Sequence, residues 1–161
     1  VIPKEIRRTM RIREGDPLEI YTNASGEVIF KKYSPIGELS SVATQYAEAL
    51  NDATDLNVLI CDRDHCIAAA GVSKKEVLER RVTQTVEDLM EGRRVEVFKK
   101  GEHSPAIEGI DQKIAVAAPI LISGDVSGAV VLSSDKGKIP SDSDIKLASV
   151  AASFLGKQLE Q

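Results

Sequence analysis

Basic side chains are concentrated at the start of the chain. Within the first thirteen positions a single acidic residue, Glu5, accompanies five basic ones, which are Lys4, Arg7, Arg8, Arg11 and Arg13. This local excess of positive charge lies on a protein whose formal net charge is −4. Cations gathered on one small unit are typical of a surface that binds phosphate groups of nucleic acid. A solvated basic face without a partner is the alternative interpretation of the same residues.

Arginine suits contact with duplex DNA because its planar fork forms paired hydrogen bonds with guanine or with phosphate oxygens and keeps its charge. Arg7 and Arg8 are adjacent, and neighbouring positions on a helix point about 100° apart. We therefore expect one to face bases and the other the backbone. Arg11 and Arg13 are expected to contact phosphates or nearby acids, and Lys4 belongs to the same basic surface.

Two further candidate contacts, Lys31 and Lys32, end a predicted strand. Successive side chains of a strand point to opposite faces, so at most one of the two lysines faces the DNA. Aromatic side chains for base stacking are few here, which disfavours single-stranded DNA or RNA as the ligand.

The elements that position these residues form a short unit. Pro3 fits the first turn of a helix over residues 4–10, with Ile6 and Met10 on its inner face. Alternation predicts a strand over 18–22, and turn residues at 23–26 lead into a partner strand over 28–33. Roughly 35 residues with so few apolar side chains cannot fold alone, and below about 40 residues a second copy is usually needed. The unit therefore predicts a homodimer.

Two long helices are expected in the rest of the chain, over residues 35–53 and 141–160. Pro35 suits the first turn of one, and Ser141 with Asp144 forms a capping-box pattern at the start of the other. Apolar residues recur at alternating steps of three and four along both helices: Ile36, Leu39, Ala43, Tyr46, Leu50, Ala53; Ile145, Ala148, Ala152, Leu155, Leu159. Such seams predict helices that pair with each other and again across a dimer, giving a tetramer. The alternative is that each helix simply covers a sheet.

Between these helices the pattern is mixed. Strands are predicted over 57–61, 66–70, 94–99, 114–122 and 126–133, and helices over 73–80 and 83–92. Short turns between strands indicate an antiparallel sheet flanked by helices, an α+β domain. The chain is therefore divided into a head, residues 1–34, and a second domain, residues 35–161, which includes a linker helix over 35–53.

The second domain offers little chemistry. Cys61 and Cys66 flank a predicted hairpin turn beside His65, while His103 lies far along the chain. Zinc requires four suitably placed ligands, so we predict no metal, no cofactor and no catalytic residue, and we interpret the cysteines as small core thiols. Alanines at 68–70 and 117–118 either leave space for a ligand or allow close helix packing, and close packing is favoured.

Composition restricts the compartment and the partner. Two cysteines fit a reducing cytosol, and no apolar run approaches the ~20 residues that span a bilayer. Residues 36–161 carry a net charge of −6, so contact with nucleic acid is expected only at the head. The chain begins at Val1 within a strand-like Val-Ile-Pro segment, and we expect further residues of that strand upstream.

The segments VIPKEIRRTM, EGDPLEIY and GEVIFKKY resemble the swapped-hairpin head of the AbrB-type transition-state regulators, and VLICDRD and SGAVVL resemble parts of a GAF fold. The combination is similar to transcription regulators of sporulation. The resemblance implies a dimeric β-barrel head in which two chains exchange strands and present Arg7 and Arg8 to DNA. It also implies basic residues just before the Val-Ile-Pro strand, and regulation in the forespore as both activator and repressor.

We therefore expect a cytoplasmic, nucleoid-associated regulator that is not an enzyme. Its expected partners are double-stranded DNA, further copies of itself and an unknown small-molecule effector. The dimer is expected through the head and the tetramer through helices 35–53 and 141–160. The alternative is an AbrB-like protein-interaction module of the antitoxin type with a GAF domain that only dimerises. A small redox enzyme in the GAF domain is the third hypothesis.

Overall fold

The computed structural model describes residues 2–99, 101–102 and 104–160. The chain divides into two compact units, Val1–Ser34 and Pro35–Gln161. In the described part of the chain, no helix is long and apolar enough to cross a membrane.

The first unit contains one helix and one hairpin. Helix α1 (Lys4–Met10) follows Pro3 and ends where Arg11 adopts a left-handed conformation, with φ of 54°. Strands β1 (Leu18–Thr22) and β2 (Val28–Lys32) pair antiparallel. The Asn23 side-chain oxygen accepts hydrogen bonds from the backbone N–H groups of Ser25 and Glu27, which closes the turn between the strands. The predicted helix and both predicted strands are therefore present.

The second unit is built on a five-stranded antiparallel sheet. Its strands are β3 (Asn57–Asp62), β4 (Cys66–Ala70), β5 (Glu96–Val97), β6 (Lys113–Ile122) and β7 (Asp125–Ser134). They lie in the order β4-β3-β7-β6-β5, so the edge strands are β4 and β5. The predicted antiparallel sheet is confirmed, although the predicted strand over 94–99 is only two residues long.

Two long helices cover one face of this sheet. A 3₁₀ turn (Ile36–Leu39) leads into α2 (Ser40–Thr54), and α5 (Asp142–Leu159) ends the unit. The predicted capping box at Ser141 and Asp144 is present. The buried core on this face combines residues from both helices and the sheet: Ala43, Ala47, Leu50, Val58, Ile60, Val116, Ala118, Val130, Ala148, Ala152 and Leu155.

The opposite face is covered by a roof of short elements, α3 (Lys74–Val77), α4 (Gln84–Glu91) and the loops around them. Buried side chains fill the space between the roof and the sheet, among them Leu59, Val77, Val82, Val86, Met90, Ile107 and Val131. Thr83 caps α4 by accepting a hydrogen bond from the Val86 N–H. The predicted helix over 73–80 ends early, because Leu78 is extended and Glu79 is left-handed, with φ of 64°.

Candidate nucleic-acid interface

Helix α1 separates a basic side from an apolar side. Lys4, Arg7 and Arg8 stand at positions i, i+3 and i+4, which lie on one side of a helix. Ile6 and Met10 lie together on another side by the same spacing. All three basic side chains are exposed. Lys4, Arg7 and Arg8 therefore form one continuous basic surface along α1, which we call the cationic stripe.

The other two arginines belong to the turn after α1. Arg11 is half-buried, and its backbone N–H donates to the carbonyl oxygen of Arg8 over 3.2 Å. Arg13 is exposed, and its backbone N–H donates to the Asp16 carboxylate over 2.8 Å. This hydrogen bond holds the backbone of the turn at Arg13 in place. The structure thus places Arg11 and Arg13 beyond the end of the cationic stripe.

The hairpin has two unlike faces. The two strands pair Leu18 with Lys32, Ile20 with Phe30, and Thr22 with Val28. Side chains alternate along a strand, so these six residues lie on the same face of the hairpin. We call Leu18, Ile20, Val28 and Phe30 the apolar hairpin face. Three of the four are strongly exposed: 63% for Ile20, 58% for Val28 and 45% for Phe30. Water-exposed apolar side chains gathered on one face mark a surface that associates with another protein.

Lys31 and Lys32 lie on opposite faces of the hairpin, as alternation predicts. Lys31 is exposed and lies opposite Glu19. Lys32 is half-buried, and its Nζ donates a hydrogen bond to the backbone carbonyl oxygen of Arg11 over 3.0 Å. The Lys32 ammonium thus ties the hairpin to the residue that ends α1. A cation at this place also interacts favourably with the negative end of the helix.

Cys61 and Cys66 are buried free thiols on paired strands, as core thiols should be. A hydrogen bond with Cys66 and burial raise the pKa of Cys61 well above its ordinary value. Among the residues that the structure describes, no group of three or more His, Cys, Asp or Glu side chains is arranged to hold a metal ion. His103, the remaining ligand considered from the sequence, lies outside the described residues.

The alanines that were candidates for a ligand cavity are packed closely. Ala69 and Ala117 face the roof, whereas Ala68, Ala70 and Ala118 face α2 and α5, and all five are buried. Ala68, Ala69, Ala70 and Ala117 therefore fit the interpretation of close packing, whereas Ala118 also lines a groove. A shallow groove of about 300 Å³ lies on the α5 side, lined by apolar residues and by Ser149, Ser153, Lys157 and Glu160.

Most residues of the two helical seams face the sheet, and α2 and α5 also contact each other. Ile36, Ala43 and Leu50 are buried on it, as are Ala148, Ala152 and Leu155, whereas Ala53 is exposed. The interpretation that each helix covers a sheet is therefore correct for these residues. A sheet buries the same narrow apolar stripe as a partner helix does, so spacing alone does not distinguish them.

A second apolar surface lies on the outer sides of α2 and α5, and the sequence analysis missed its α5 residues, Val150 and Phe154. The rings of Tyr46 and Phe154 are 5.2 Å apart between centroids, and Val150 and Phe154 are 55% and 39% exposed. We call Tyr46, Val150 and Phe154 the outer helix surface. Its sequence signal is the pair of large apolar residues four positions apart, Val150 and Phe154, outside the seam of α5.

Comparison with known proteins assigns both units. Residues 38–160 match the family model for "Stage V sporulation protein T C-terminal, transcription factor". The chain belongs to the stage V sporulation protein T family. Residues 1–37 match the model "Antidote-toxin recognition MazE, bacterial antitoxin". Stage V sporulation protein T of Bacillus subtilis is 46% identical over 163 residues, covering 100% of this chain and 91% of that protein.

The family resemblance expected from the sequence, an AbrB-type head followed by a GAF-like domain, is confirmed. A GAF domain of an Acinetobacter phosphoenolpyruvate-protein phosphotransferase has a TM-score of 0.58 at 12% identity, covering 78% of this chain and 87% of that chain. The GAF domain of the nutrient sensor CodY from Clostridium difficile has a TM-score of 0.52 at 16% identity, covering 72% and 83%.

A free methionine-R-sulfoxide reductase from Thermoplasma acidophilum shares the same architecture. Its TM-score is 0.57 at 14% identity, covering 77% of this chain and 94% of that chain. Identities this low show the fold alone, and function is read from the site.

Proposed function

We propose that this chain is a transcription regulator of sporulation that contacts double-stranded DNA through its head, residues 1–34. The observation that carries the proposal is the cationic stripe of Lys4, Arg7 and Arg8, exposed along one side of α1. Membership in a family of transcription factors supports it. The acidic remainder of the chain, at −6, would repel a polyanion, so the head is the place for contact.

The head acts as a dimer. None of residues 2–34 is buried, so one copy of the unit has no core. The apolar hairpin face exposes Ile20, Val28 and Phe30, and burying such side chains stabilises a protein by about 1.5–3 kcal/mol each. A second copy of the same hairpin offers the complementary surface, and two interlaced copies form the expected barrel.

Within this dimer, Arg7 and Arg8 have separate tasks. Because they diverge around the helix, one reads base edges and the other holds a phosphate. Contacts to the phosphate backbone of the DNA come in addition from Arg11, Arg13 and Lys31. Lys32 donates to the carbonyl oxygen of Arg11, so we assign it to positioning the end of α1 within the basic surface, without a phosphate contact of its own.

Titration of full-length protein onto duplex DNA, followed by fluorescence anisotropy, tests the assignment. Arg7→Ala and Arg8→Ala should each weaken binding by roughly 1–3 kcal/mol. Lys146→Ala is the matched control, because Lys146 is an exposed cation of α5. Binding by the wild type should also fall steeply as salt rises. Wild-type affinity in both arginine variants, or binding indifferent to salt, would overturn the proposal.

We assign self-association to the second domain. The helices over 35–53 and 141–160 present the outer helix surface, Tyr46, Val150 and Phe154, and its burial against another copy would join two head dimers into a tetramer. Light scattering over a range of concentrations tests this: Phe154→Glu should give dimers only. If the Phe154→Glu variant still forms tetramers, the outer helix surface is not the contact between dimers.

The remaining parts of the proposal concern ligands and location. Apolar side chains fill the space between the roof and the sheet, which supports a role as a scaffold more than as a ligand sensor. A small-molecule effector therefore stays a prediction. Native mass spectrometry of protein isolated from its host would reveal a retained ligand. We propose that the regulator works in the cytoplasm on the nucleoid, with no enzymatic activity and no cofactor, and that it both activates and represses genes.

A second candidate function is a protein-interaction module of the antitoxin type, with a second domain that only dimerises. The match of residues 1–37 to an antitoxin model favours it. An electrophoretic shift assay distinguishes the two. A dimeric full-length protein that leaves every duplex unshifted at low salt would support the antitoxin-type module.

A further inference from the structure

We propose that Cys61 and Cys66 form a reversible intramolecular disulfide that fastens the edge strand β4 to its neighbour β3. The two residues are cross-strand partners, next to a β-bulge between the pairs Ile60–Ala68 and Cys61–Cys66. Both lie in the core under the roof, and both are free thiols in this structure. The proposal concerns the second domain alone and is independent of DNA binding.

The backbone hydrogen bonds show which kind of pair this is. The Cys66 N–H donates to the carbonyl oxygen of Arg80, and the Cys66 carbonyl oxygen accepts from the N–H of Glu79. Both backbone groups of Cys66 therefore point away from β3. Opposite residues in such a non-hydrogen-bonded pair have Cα atoms about 4.5 Å apart. A disulfide requires about 4.4–6.8 Å between Cα atoms, and the regular spacing of such a pair falls at the lower end of that range.

The side chains also face each other. Hydrogen bonding between the two thiols is the largest cause that raises the pKa of Cys61. The Cys66 Sγ lies 3.4 Å from the carbonyl oxygen of Ala68. Both side chains belong to the same buried cluster under the roof, so the two sulfur atoms lie on the same face of the sheet.

Access depends on the segment that covers β4. Both cysteines have no exposed surface, so the pair is inert while the roof is closed. However, β4 is an edge strand, and beside Cys66 its outer side is bonded to Glu79 and Arg80. Glu79 is held in a left-handed conformation that costs a non-glycine residue free energy. Local opening of this segment exposes Cys66 without disturbing the centre of the sheet.

The oxidant we assign is a low-molecular-weight disulfide. The Cys66 thiolate attacks one sulfur of that molecule and releases the first small thiol, which leaves a mixed disulfide on Cys66. The Cys61 thiolate then attacks the Cys66 sulfur and releases the second small thiol. The protein loses two electrons and two protons, which leave with the two small thiols. The first attack belongs to Cys66, because opening of the segment at Glu79 and Arg80 uncovers the edge strand β4 and leaves Cys61 covered on the inner strand β3.

Treatment of the folded full-length chain with oxidised glutathione tests the pair, followed by alkylation under denaturing conditions and mass spectrometry. Arg63 lies between the cysteines, so trypsin separates them into two peptides. We expect these peptides to be joined in the wild type and separated again by dithiothreitol. Cys61→Ser should stop at a glutathione adduct on Cys66, and Cys66→Ser should react far more slowly.

Three outcomes would overturn the proposal. One is a wild type that stays reduced while the same chain in denaturant becomes oxidised. Another is a wild type that accumulates the glutathione adduct without joining its two peptides. The third is equal reactivity of Cys61→Ser and Cys66→Ser in the folded state. Circular dichroism of each variant before treatment confirms that the folded protein is the species compared.

Discussion

The two units of this protein solve the problem of burial differently. In the second domain, both faces of one sheet are covered, and side chains from the helices and the roof fill two cores. In the head, none of residues 2–34 is buried, although its helix and hairpin are regular. Local sequence signals thus suffice to form elements, whereas a core needs more surface than one head supplies. The comparison shows that the second domain has its cores within one chain, whereas the head has none, and the proposed head dimer would supply it.

The largest expected effect comes from the apolar hairpin face. A carboxylate in place of Ile20 or Phe30 would be buried in the proposed head dimer, and an unpaired buried charge is costly. We expect Ile20→Asp to abolish duplex binding, while the second domain keeps its unfolding transition in calorimetry. Ser25→Asp, at the exposed turn between the strands, is the control. Full binding by Ile20→Asp would show that the head folds without its partner.

A substitution in the sheet tests how closely the second domain is packed. Gly128 lies on β7, and a Cβ atom there would overlap the carbonyl oxygen of Cys61 on β3. We expect Gly128→Ala to destabilise the second domain by about 1–3 kcal/mol, because a closely packed interior cannot yield without strain. Urea unfolding measures this change, and Ser127→Ala, on the same strand, is the control. Equal stability of the two variants would show that β3 and β7 can move apart at Gly128 without a loss of stability.

The lysines at the end of β2 separate direct contact from positioning within the head. Lys31→Met should weaken duplex binding several-fold and lower the salt slope of binding by about 0.9, the loss of one phosphate contact. Lys32→Met should weaken binding while leaving the salt slope unchanged, since the Lys32 ammonium is bound to Arg11. Titrations at several salt concentrations distinguish these results. A reduced slope in Lys32→Met would make Lys32 a phosphate contact like Lys31.

The smallest expected effect is a pH dependence that belongs to the second domain. The raised pKa of Cys61 means that its folded thiol holds a proton more tightly than the unfolded one. Its contribution to stability is complete below the ordinary thiol pKa, about 8.5, and declines as pH rises through the higher folded value. The free energy of unfolding should therefore fall between about pH 8 and pH 9.5 less steeply in Cys61→Ala than in the wild type. If the free energy of unfolding depends on pH equally in the wild type and in Cys61→Ala, the pH dependence does not come from Cys61.

Much of the head was predictable because its signals are local. Pro3 and the spacing of Ile6 and Met10 indicate α1, and alternation around the turn at Asn23 indicates the hairpin. Both elements have the predicted place. The role of Lys32 was not predictable, because its bond to Arg11 joins residues 21 positions apart and depends on how the hairpin meets the helix.

In the second domain, element order was predictable and packing partners were not. The seams of α2 and α5 are correct as apolar stripes, yet sequence does not say whether a sheet or a helix receives them. The early end of α3 depends on Glu79, whose left-handed conformation is unusual for a residue with a side chain. Its N–H bonds to Cys66, so a tertiary contact overrides the helical pattern.

Gly156 gives the end of α5 a mechanical property. A side chain at this position would collide with the carbonyl oxygen of Leu121, so helix and strand meet there backbone to backbone. One turn later, the Glu160 carboxylate accepts a hydrogen bond from the Ser123 N–H over 2.8 Å. With no flexible side chain between them to absorb displacement, we expect this end of α5 and the β6–β7 turn to move together. Any reorientation of the helix then pivots here, and its amplitude grows toward Asp142.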